Sequence, residues 1–246
     1  MSEIFSRIEL LLGSAAMEKL ARSHVAVFGI GGVGGHCVEA LARSGICRFT
    51  LIDGDRVALS NINRQTVALH STVGMYKTDV MRERILDINP GAIVVSIPRM
   101  YLPGDLELLA RGYNLIVDAI DDVPAKVDLA VHAEAAGVRI LSCMGAGDTL
   151  GPARFVAMDL YETKACPLAR AVRKAARERG VSQLRVICAE RGVPDDVIPL
   201  REHGAGAQHP GAPVKTARTV PGSAVFVTAT AGLTLAGEAV RMLLSD

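Results

Sequence analysis

The sequence is poor in the features that identify several classes of protein. Its 27 basic and 26 acidic residues leave a net charge of only +1, so contact with nucleic acid would need a local basic patch. Its cysteines are few and scattered: Cys37, Cys47, Cys143, Cys166 and Cys188. They form no C-x-x-C pair and no Cys/His cluster at zinc-ligand spacing. We therefore expect a reducing cytoplasm, no disulfide framework and no structural zinc.

Long uninterrupted apolar runs are also scarce. Near the N-terminus the apolar stretch is short and acidic residues precede it, unlike in a signal peptide. The stretch from Val220 to Leu244 is long enough to suggest a membrane span, but Glu238 and Arg241 interrupt it and its glycines suit close packing. We expect a buried core helix there, and neither export nor a membrane.

Apolar runs rich in β-branched residues alternate with segments of helical periodicity. The predicted strands are Val25–Phe28, Phe49–Ile52, Ile93–Ile97, Leu115–Val117 and Ile140–Cys143. The predicted helices are Ile8–Arg22, Val33–Ser44, Lys77–Asn89, Ala125–Ala136, Pro167–Arg179 and Ser223–Leu244. Such alternation implies a mainly parallel sheet with helices on both faces. The sequence therefore predicts a Rossmann-like, doubly wound α/β fold with an elaborated C-terminal half.

Three glycines, Gly29, Gly31 and Gly34, follow the first predicted strand in G-x-G-x-x-G spacing, with Gly32 between them. Glycine permits a tight turn and close approach of phosphate, and the following helix N-terminus offers N–H donors. The next strand ends at Asp53, where a carboxylate can accept hydrogen bonds from a ribose. These residues predict a nucleotide site, which a nicotinamide-binding oxidoreductase or binding module would also possess.

Two cations distinguish a triphosphate from a dinucleotide. Arg64 follows the polar residues Ser60, Asn61 and Asn63, and Lys77 opens the next predicted helix. Arginine can grip phosphate oxygens through two hydrogen bonds, and lysine supplies a point charge for departing pyrophosphate. Convergence of both on one site would favour ATP, although their spacing also suits a pair of exposed surface cations.

Carboxylates follow the fourth predicted strand, at the sheet edge where open α/β folds bind ligands. They are Asp118, Asp121 and Asp122. Asp121 is the candidate Mg²⁺ ligand, because magnesium prefers hard oxygen donors. Asp122, which precedes Val123-Pro124, can also cap a helix.

The segments FSRIELLLG, GIGGVGG, LIDGD, SNINRQ, VGMYK, INP and DAIDD, in this order and spacing, resemble the ubiquitin-activating-enzyme-like adenylyltransferase superfamily. Its members activate a carboxylate with ATP as an acyl-adenylate, usually as homodimers. The resemblance implies that the glycine loop, the stretch 60–64 and Lys77 hold the phosphates, that Asp53 holds the ribose, and that Asp121 lies at the metal. It also implies that Arg7 reaches ATP across the dimer, although Arg7 could be an ordinary helix-start residue.

The second half resembles the branch of this superfamily that dehydrates threonylcarbamoyladenosine in tRNA, through MGAGDTLGPARFVAMDLYETKACPLARAVRKAARERG and GSAVFVTATAGLTLAGEAV. This implies one adenylating domain over 1–246, with a nucleotide part about 1–145 and a tRNA side about 146–246. It also implies ring closure on threonylcarbamoylated tRNA with loss of water. The alternative is an activator of a sulfur-carrier or ubiquitin-like protein, although such enzymes commonly carry C-x-x-C zinc motifs. A sulfur-transfer protein is a further candidate partner.

Four basic residues recur at helical spacing after Pro167: Arg170, Arg173, Lys174 and Arg177. Such a face could follow an RNA phosphate backbone. A solvated amphipathic helix would show the same pattern.

Cysteines mark two departures from the pattern of the branch. Cys166-Pro167-Leu168 replaces a common Asp-Pro-Leu, and Cys188 stands in a strand where serine or an apolar residue is expected. Members often have a cysteine before the final helix, but 201–223 contains none. Because buried structural thiols are commoner than reactive ones, neither cysteine is assigned a catalytic role. The Gly, Pro and Ala-rich stretch 201–219 predicts a mobile loop.

Overall fold

A computed structural model describes residues 3–150, 154–164, 166–190 and 222–245; the predicted loop 201–219 lies outside them. The strands are β1 (His24–Phe28), β2 (Arg48–Ile52), β3 (Ile93–Ile97), β4 (Leu115–Asp118), β5 (Ile140–Cys143), β6 (Phe155–Asp159) and β7 (Arg185–Ala189). The helices are α1 (Ser6–Leu12), α2 (Ser14–Arg22), α3 (Gly34–Arg43), α4 (Lys77–Ile88), α5 (Val123–Ala135), α6 (Pro167–Glu178) and α7 (Val225–Leu244).

The strands form one sheet in the order β3-β2-β1-β4-β5-β7-β6. Neighbours pair in parallel except for β6, which runs antiparallel to β7. The chain moves outward from β1 to β3 on one side and from β4 on the other. This order confirms the predicted doubly wound fold and opens a crevice beyond the carboxyl ends of β1 and β4.

Successive side chains of each strand enter cores on opposite faces of the sheet. On one face, Val25 and Val27 pack with α2, α3, α4 and α7. On the other face, Ala26 and Phe28 pack with α5, and further along the sheet α6 covers β7. Burial on both faces explains why the β1 sequence HVAVF has an apolar run instead of alternating polar residues.

The five predicted strands match β1 to β5 to within one residue at each end. The prediction gave no strand at β6 and no bounds for the strand that contains Cys188. One predicted helix, Ile8–Arg22, is wrong, because the chain breaks at Gly13 into α1 and α2. Gly13 has φ of +82°, a backbone conformation that glycine adopts readily and that cannot continue a right-handed helix.

Helix α7 is long and apolar enough to cross a membrane by length and composition. Half of its most apolar window is nevertheless buried inside the protein. Val227, Ala231, Leu235 and Ala239 recur along its buried face and belong to the core shared with α3. The structure therefore agrees with the prediction of a core helix.

Candidate functional site

The glycine loop between β1 and α3 contains glycines with different structural demands. Gly29 has φ of +90°, and a Cβ there would stand 2.7 Å from the carbonyl oxygen of Ala119. At Gly34 a Cβ would stand 1.8 Å from the oxygen of Gly29. At Gly31, by contrast, the nearest heavy atom would be Nε2 of Gln65 at 3.9 Å. The fold therefore requires Gly29 and Gly34, whereas Gly31 leaves open space beside its backbone.

The C-terminal helix closes one side of this loop. A Cβ on Gly32 would stand 3.3 Å from Thr228 of α7. The side-chain amide of Asn63 donates to the carbonyl oxygen of Ser223, just before α7, at 2.9 Å. The loop and the polar segment 60–64 are thus joined to the second half of the chain.

Asp53 supports the glycine loop directly. Its carboxylate accepts hydrogen bonds from the backbone N–H of Ile30 at 2.6 Å and of Asp55 at 2.8 Å. Burial raises the pKa of Asp53, while Lys77 and these two N–H donors oppose the rise. Each oxygen keeps a further lone pair, so both can still accept hydrogen bonds from a ribose.

Lys77 is buried, with 5% of its surface exposed. Its Nζ donates to Oδ2 of Asp55 at 2.7 Å. A cation this enclosed does not fit the alternative of an exposed surface lysine. The sequence analysis did not identify Asp55 as the partner, although Asp55 lies within the LIDGD segment that identified Asp53.

Arg64 is held by its own segment. Its Nη1 donates to the carbonyl oxygen of Ser60 at 2.8 Å and to Oδ1 of Asn63 at 2.9 Å. Nε2 of His36 on α3 lies 3.3 Å from the carbonyl oxygen of Arg64. The Asn61 carboxamide accepts from the N–H of Ala58. Ser60, Asn61 and Asn63 therefore shape the segment that presents the guanidinium.

Gln65 is a residue of this site that the sequence analysis missed. Its side chain is 92% buried beside Gly31, and its Oε1 has no hydrogen-bond partner among the described residues. A buried amide oxygen without a partner costs about 1–3 kcal/mol. The sequence feature that could have identified Gln65 is its position directly after Arg64 in the SNINRQ segment.

The carboxylates at the end of β4 and just after it have separate environments. Asp118 is fully buried, where it accepts from Nζ of Lys126 at 2.8 Å and from Ser142. Asp122 accepts from the N–H of Ala125 at 2.9 Å, which confirms its role as the N-cap of α5. Asp121 is exposed and makes no hydrogen bond or ion pair with the described part of the chain.

No group of three or more His, Cys, Asp or Glu among the described residues could hold a metal. Asp121 fits Mg²⁺ as a single carboxylate ligand, because this ion keeps several waters and takes further oxygens from phosphates. Asp118 is occupied by Lys126 and does not suit a metal.

Two further groups of predicted residues lie away from the loop. Arg7 is exposed on α1 and makes no hydrogen bond or ion pair with the described residues of its own chain. On α6, Arg170, Lys174 and Arg177 are exposed on one face of the helix. Arg173 instead donates from Nη1 to the carbonyl oxygen of Thr163 at 2.6 Å and is partly buried.

The chain is similar to known proteins over nearly its whole length. The ThiF family model matches residues 5–246. The tRNA threonylcarbamoyladenosine dehydratase of Bacillus subtilis is 37% identical over 245 residues, covering 98% of this chain and 95% of that protein. The molybdopterin-synthase adenylyltransferase of Escherichia coli is 33% identical over 125 residues, which is 51% of this chain and 50% of that protein.

A solved structure has the same fold along almost the whole chain. It is that of the Escherichia coli tRNA N6-threonylcarbamoyladenosine dehydratase, TcdA, in complex with ATP. The two superpose with a TM-score of 0.83 at 30% identity, over 98% of this chain and 94% of that one.

Proposed function

The chain belongs to the ThiF family, and from that premise we propose that it adenylates the carboxylate of N6-threonylcarbamoyladenosine in tRNA, using ATP, and closes the product into a ring. The observation that carries this proposal is the length of the match. Similarity to a threonylcarbamoyladenosine dehydratase spans 98% of the chain and so includes β6, β7, α6 and α7. Similarity to the sulfur-carrier activator spans half of it.

The glycine loop fits ATP. Open space at Gly31 admits phosphate oxygens to the backbone, and α3 begins beside it. Lys77, kept in place by Asp55, and Arg64 supply positive charge. Asp53 would hold the ribose from the other side of the loop.

In the proposed reaction, a carboxylate oxygen of the threonylcarbamoyl group attacks the α-phosphorus of ATP. The bond to the bridging oxygen breaks, and pyrophosphate leaves with its electron pair. Arg64 and Lys77 neutralise the charge that accumulates on the departing phosphates. Mg²⁺, held by Asp121 when bound, would supply further neutralisation.

Ring closure completes the reaction. An internal nitrogen of the modified base attacks the acyl carbon, loses its proton and displaces AMP. The tRNA therefore loses one water overall, and the oxygen of that water leaves on AMP.

The tRNA side of the site includes α6. Arg170, Lys174 and Arg177 are exposed and can contact RNA phosphates, whereas Arg173 secures the start of the helix through Thr163. A tRNA substrate and the use of ATP imply a cytoplasmic protein. A sulfur-transfer protein is not required by this chemistry, because no sulfur is transferred.

A homodimer would bring Arg7 to the second active site. Arg7, Leu10 and Leu11 are three and four residues apart and therefore share a face of α1. Leu10 and Leu11 are 82% and 80% exposed, which leaves an apolar surface suited to a second copy.

The test uses the purified protein with ATP, Mg²⁺ and bulk tRNA from a strain that lacks this activity. We expect AMP production and loss of one water from threonylcarbamoyladenosine, measured by nucleoside mass spectrometry without any added sulfur-transfer protein. Active, ATP-hydrolysing protein with no change in nucleoside mass would exclude the tRNA substrate. Pyrophosphate exchange that required a protein ending in Gly-Gly would instead favour the sulfur-carrier alternative.

A further inference from the structure

Two cysteines from distant parts of the sequence meet beyond the carboxyl end of β5. Cys166 is the residue before α6, and Cys188 lies in β7. Both side chains belong to the cluster of residues that packs between α6 and the sheet, and each thiol shifts the pKa of the other. All five cysteines of the chain are free thiols in the structure.

Strand register explains how this pair forms. Cys143 of β5 pairs with Ile187 of β7, and the N–H of Met144 continues the pairing by donating to the carbonyl oxygen of Ile187 at 2.8 Å. Because side chains alternate along a strand, Ile187 points to the α7 side of the sheet and Cys188 points to the α6 side. Cys166, at the start of α6, lies on that same side.

Cys166 occupies a site that favours its anionic form. Its sulfur accepts from the N–H of Gly145 at 3.3 Å and from the N–H of Ala169, in the first turn of α6, at 3.5 Å. The helix N-terminus adds the positive end of its dipole. Interaction with the Cys188 thiol and these backbone donors lower the pKa of Cys166 well below that of an ordinary thiol, although burial opposes them.

The two cysteines differ in solvent exposure, and this difference indicates a different role for each. Cys166 is partly exposed, so a small oxidant can reach it. Cys188 is only 1% exposed and points at Cys166. Interaction of the thiol with the Cys166 sulfur, burial and the negative charge of that neighbour raise the pKa of Cys188, which keeps it protonated until it reacts.

We propose that Cys166 and Cys188 form a hydroperoxide-reactive dithiol, in which Cys166 is the attacking thiolate and Cys188 the resolving thiol. The Cys166 sulfur attacks one peroxide oxygen, the O–O bond breaks, and the other oxygen leaves as an alcohol or water after taking a proton. The sulfur is now a sulfenic acid. Cys188 then attacks it, the S–O bond breaks, and the hydroxide leaves as water with the Cys188 proton. Two thiols are oxidised to one disulfide, and the peroxide is reduced by two electrons.

This proposal does not rest on the proposed function, since it requires neither ATP nor tRNA. The first measurement compares alkylation rates in the reduced full-length protein. Iodoacetamide at pH 6.5 should label Cys166 about 10-fold faster than it labels the same cysteine in the urea-unfolded chain, where an ordinary thiol is only about 1% thiolate. Cys47, the other partly exposed thiol, is the internal comparison in the same peptide map. Equal rates in the folded and unfolded chains would overturn the proposal.

The second measurement follows one equivalent of hydrogen peroxide by peptide mapping without reductant. We expect a Cys166–Cys188 disulfide in the wild-type protein. In Cys188→Ser the sulfenic acid should persist on Cys166 and react with dimedone. Cys166→Asp, which keeps a side-chain cap for α6, should yield neither product.

The peptide map of the peroxide-treated wild-type protein tests the proposal even if a variant fails to fold. Two free thiols after peroxide treatment, or a disulfide that joins either cysteine to a different partner, would refute the assignment.

Discussion

Gly232 of α7 lies directly against the backbone of Val33, where α3 leaves the glycine loop. A Cβ on Gly232 would stand 2.5 Å from the carbonyl oxygen of Val33 and 2.8 Å from Cβ of His36. The C-terminal helix can approach the nucleotide loop this closely only because residue 232 has no side chain. The C-terminal helix therefore contributes to the shape of the proposed ATP site.

Gly232→Ala should lower the free energy of unfolding by about 2 kcal/mol, because the added methyl must push α7 away from α3. The steric cost exceeds the gain of about 1 kcal/mol that alanine brings to a helix. Urea unfolding measures the change. Gly237→Ala is the matched control in the same helix, since its Cβ would meet nothing closer than Arg241 Nη1 at 3.9 Å. An unchanged midpoint for Gly232→Ala would show that α7 and α3 are not in such close contact.

Gly31→Ala should fold normally and lose at least about 10-fold in ATP affinity. The space beside Gly31 is open in the protein, so a methyl there would meet only an incoming phosphate. Gly34→Ala should instead prevent folding, because its Cβ would overlap the oxygen of Gly29. Circular dichroism and calorimetric ATP titration separate the two outcomes. Wild-type ATP affinity in Gly31→Ala would contradict the proposed phosphate position.

The sequence predicted β1 to β5, because each of these strands is a short apolar run bounded by breakers. It did not predict β6, whose residues beyond Phe155 are only partly buried. This strand is defined by antiparallel pairing with β7, in which Ala157 lies opposite Ile187. Pairing between distant segments leaves little trace in local periodicity. The break at Gly13 was missed because α1 and α2 carry one continuous helical pattern.

The candidate site, too, was predictable only where the information lies in the local sequence. Motifs pointed to Asp53, Arg64 and Lys77 as candidates, because the chemistry of phosphate binding restricts residue type and spacing. They did not identify Asp55 as the partner of Lys77 or the burial of Gln65, because both depend on how α4 and the glycine loop meet in three dimensions.

Arg64→Ala should reduce adenylation about 100-fold or more, since the guanidinium neutralises charge on the departing pyrophosphate. Among the described residues its side chain bonds only to its own segment, so the variant should fold. Pyrophosphate release measures the rate, with Arg48→Ala, at the amino end of β2, as the surface control. Turnover at the wild-type rate would remove Arg64 from the site.

Arg7→Ala should be similarly inactive if Arg7 acts across a dimer. Mixing it with Arg64→Ala and allowing subunits to exchange should restore activity, because one of the two sites in each heterodimer would then contain both arginines. Failure to regain activity in heterodimers verified by native mass spectrometry would contradict action in trans.

Asp128→Asn should destabilise the protein by about 1–3 kcal/mol at pH 7, and by less near pH 3. Burial alone would raise the pKa of Asp128, but hydrogen bonds from the N–H of Gly104, from Tyr101 and from Arg179 lower it below its ordinary value. A depressed pKa adds stability that is complete above the unfolded pKa of about 4 and disappears as the pH falls through the folded value.

Urea unfolding of the wild-type protein and Asp128→Asn at several pH values tests the predicted direction of this pH dependence. Asp87→Asn on the exposed face of α4 serves as the comparison. A difference between Asp128→Asn and wild type that grew toward acid would mean that the native carboxyl is protonated.

Charge reversal on α6 distinguishes RNA contact from a solvated helix face. Lys174→Glu should weaken tRNA binding and reduce the slope of log affinity against log salt by about 1, because each lost phosphate contact removes about one released counterion. Arg111→Glu, which is exposed just before the amino end of the central strand β4, should change neither quantity appreciably. Arg173→Ala should instead lower thermal stability, since its guanidinium donates to Thr163 in the segment between β6 and α6. If Lys174→Glu and Arg111→Glu shift tRNA binding equally, α6 makes no specific contact and its basic residues serve only to keep that face in water.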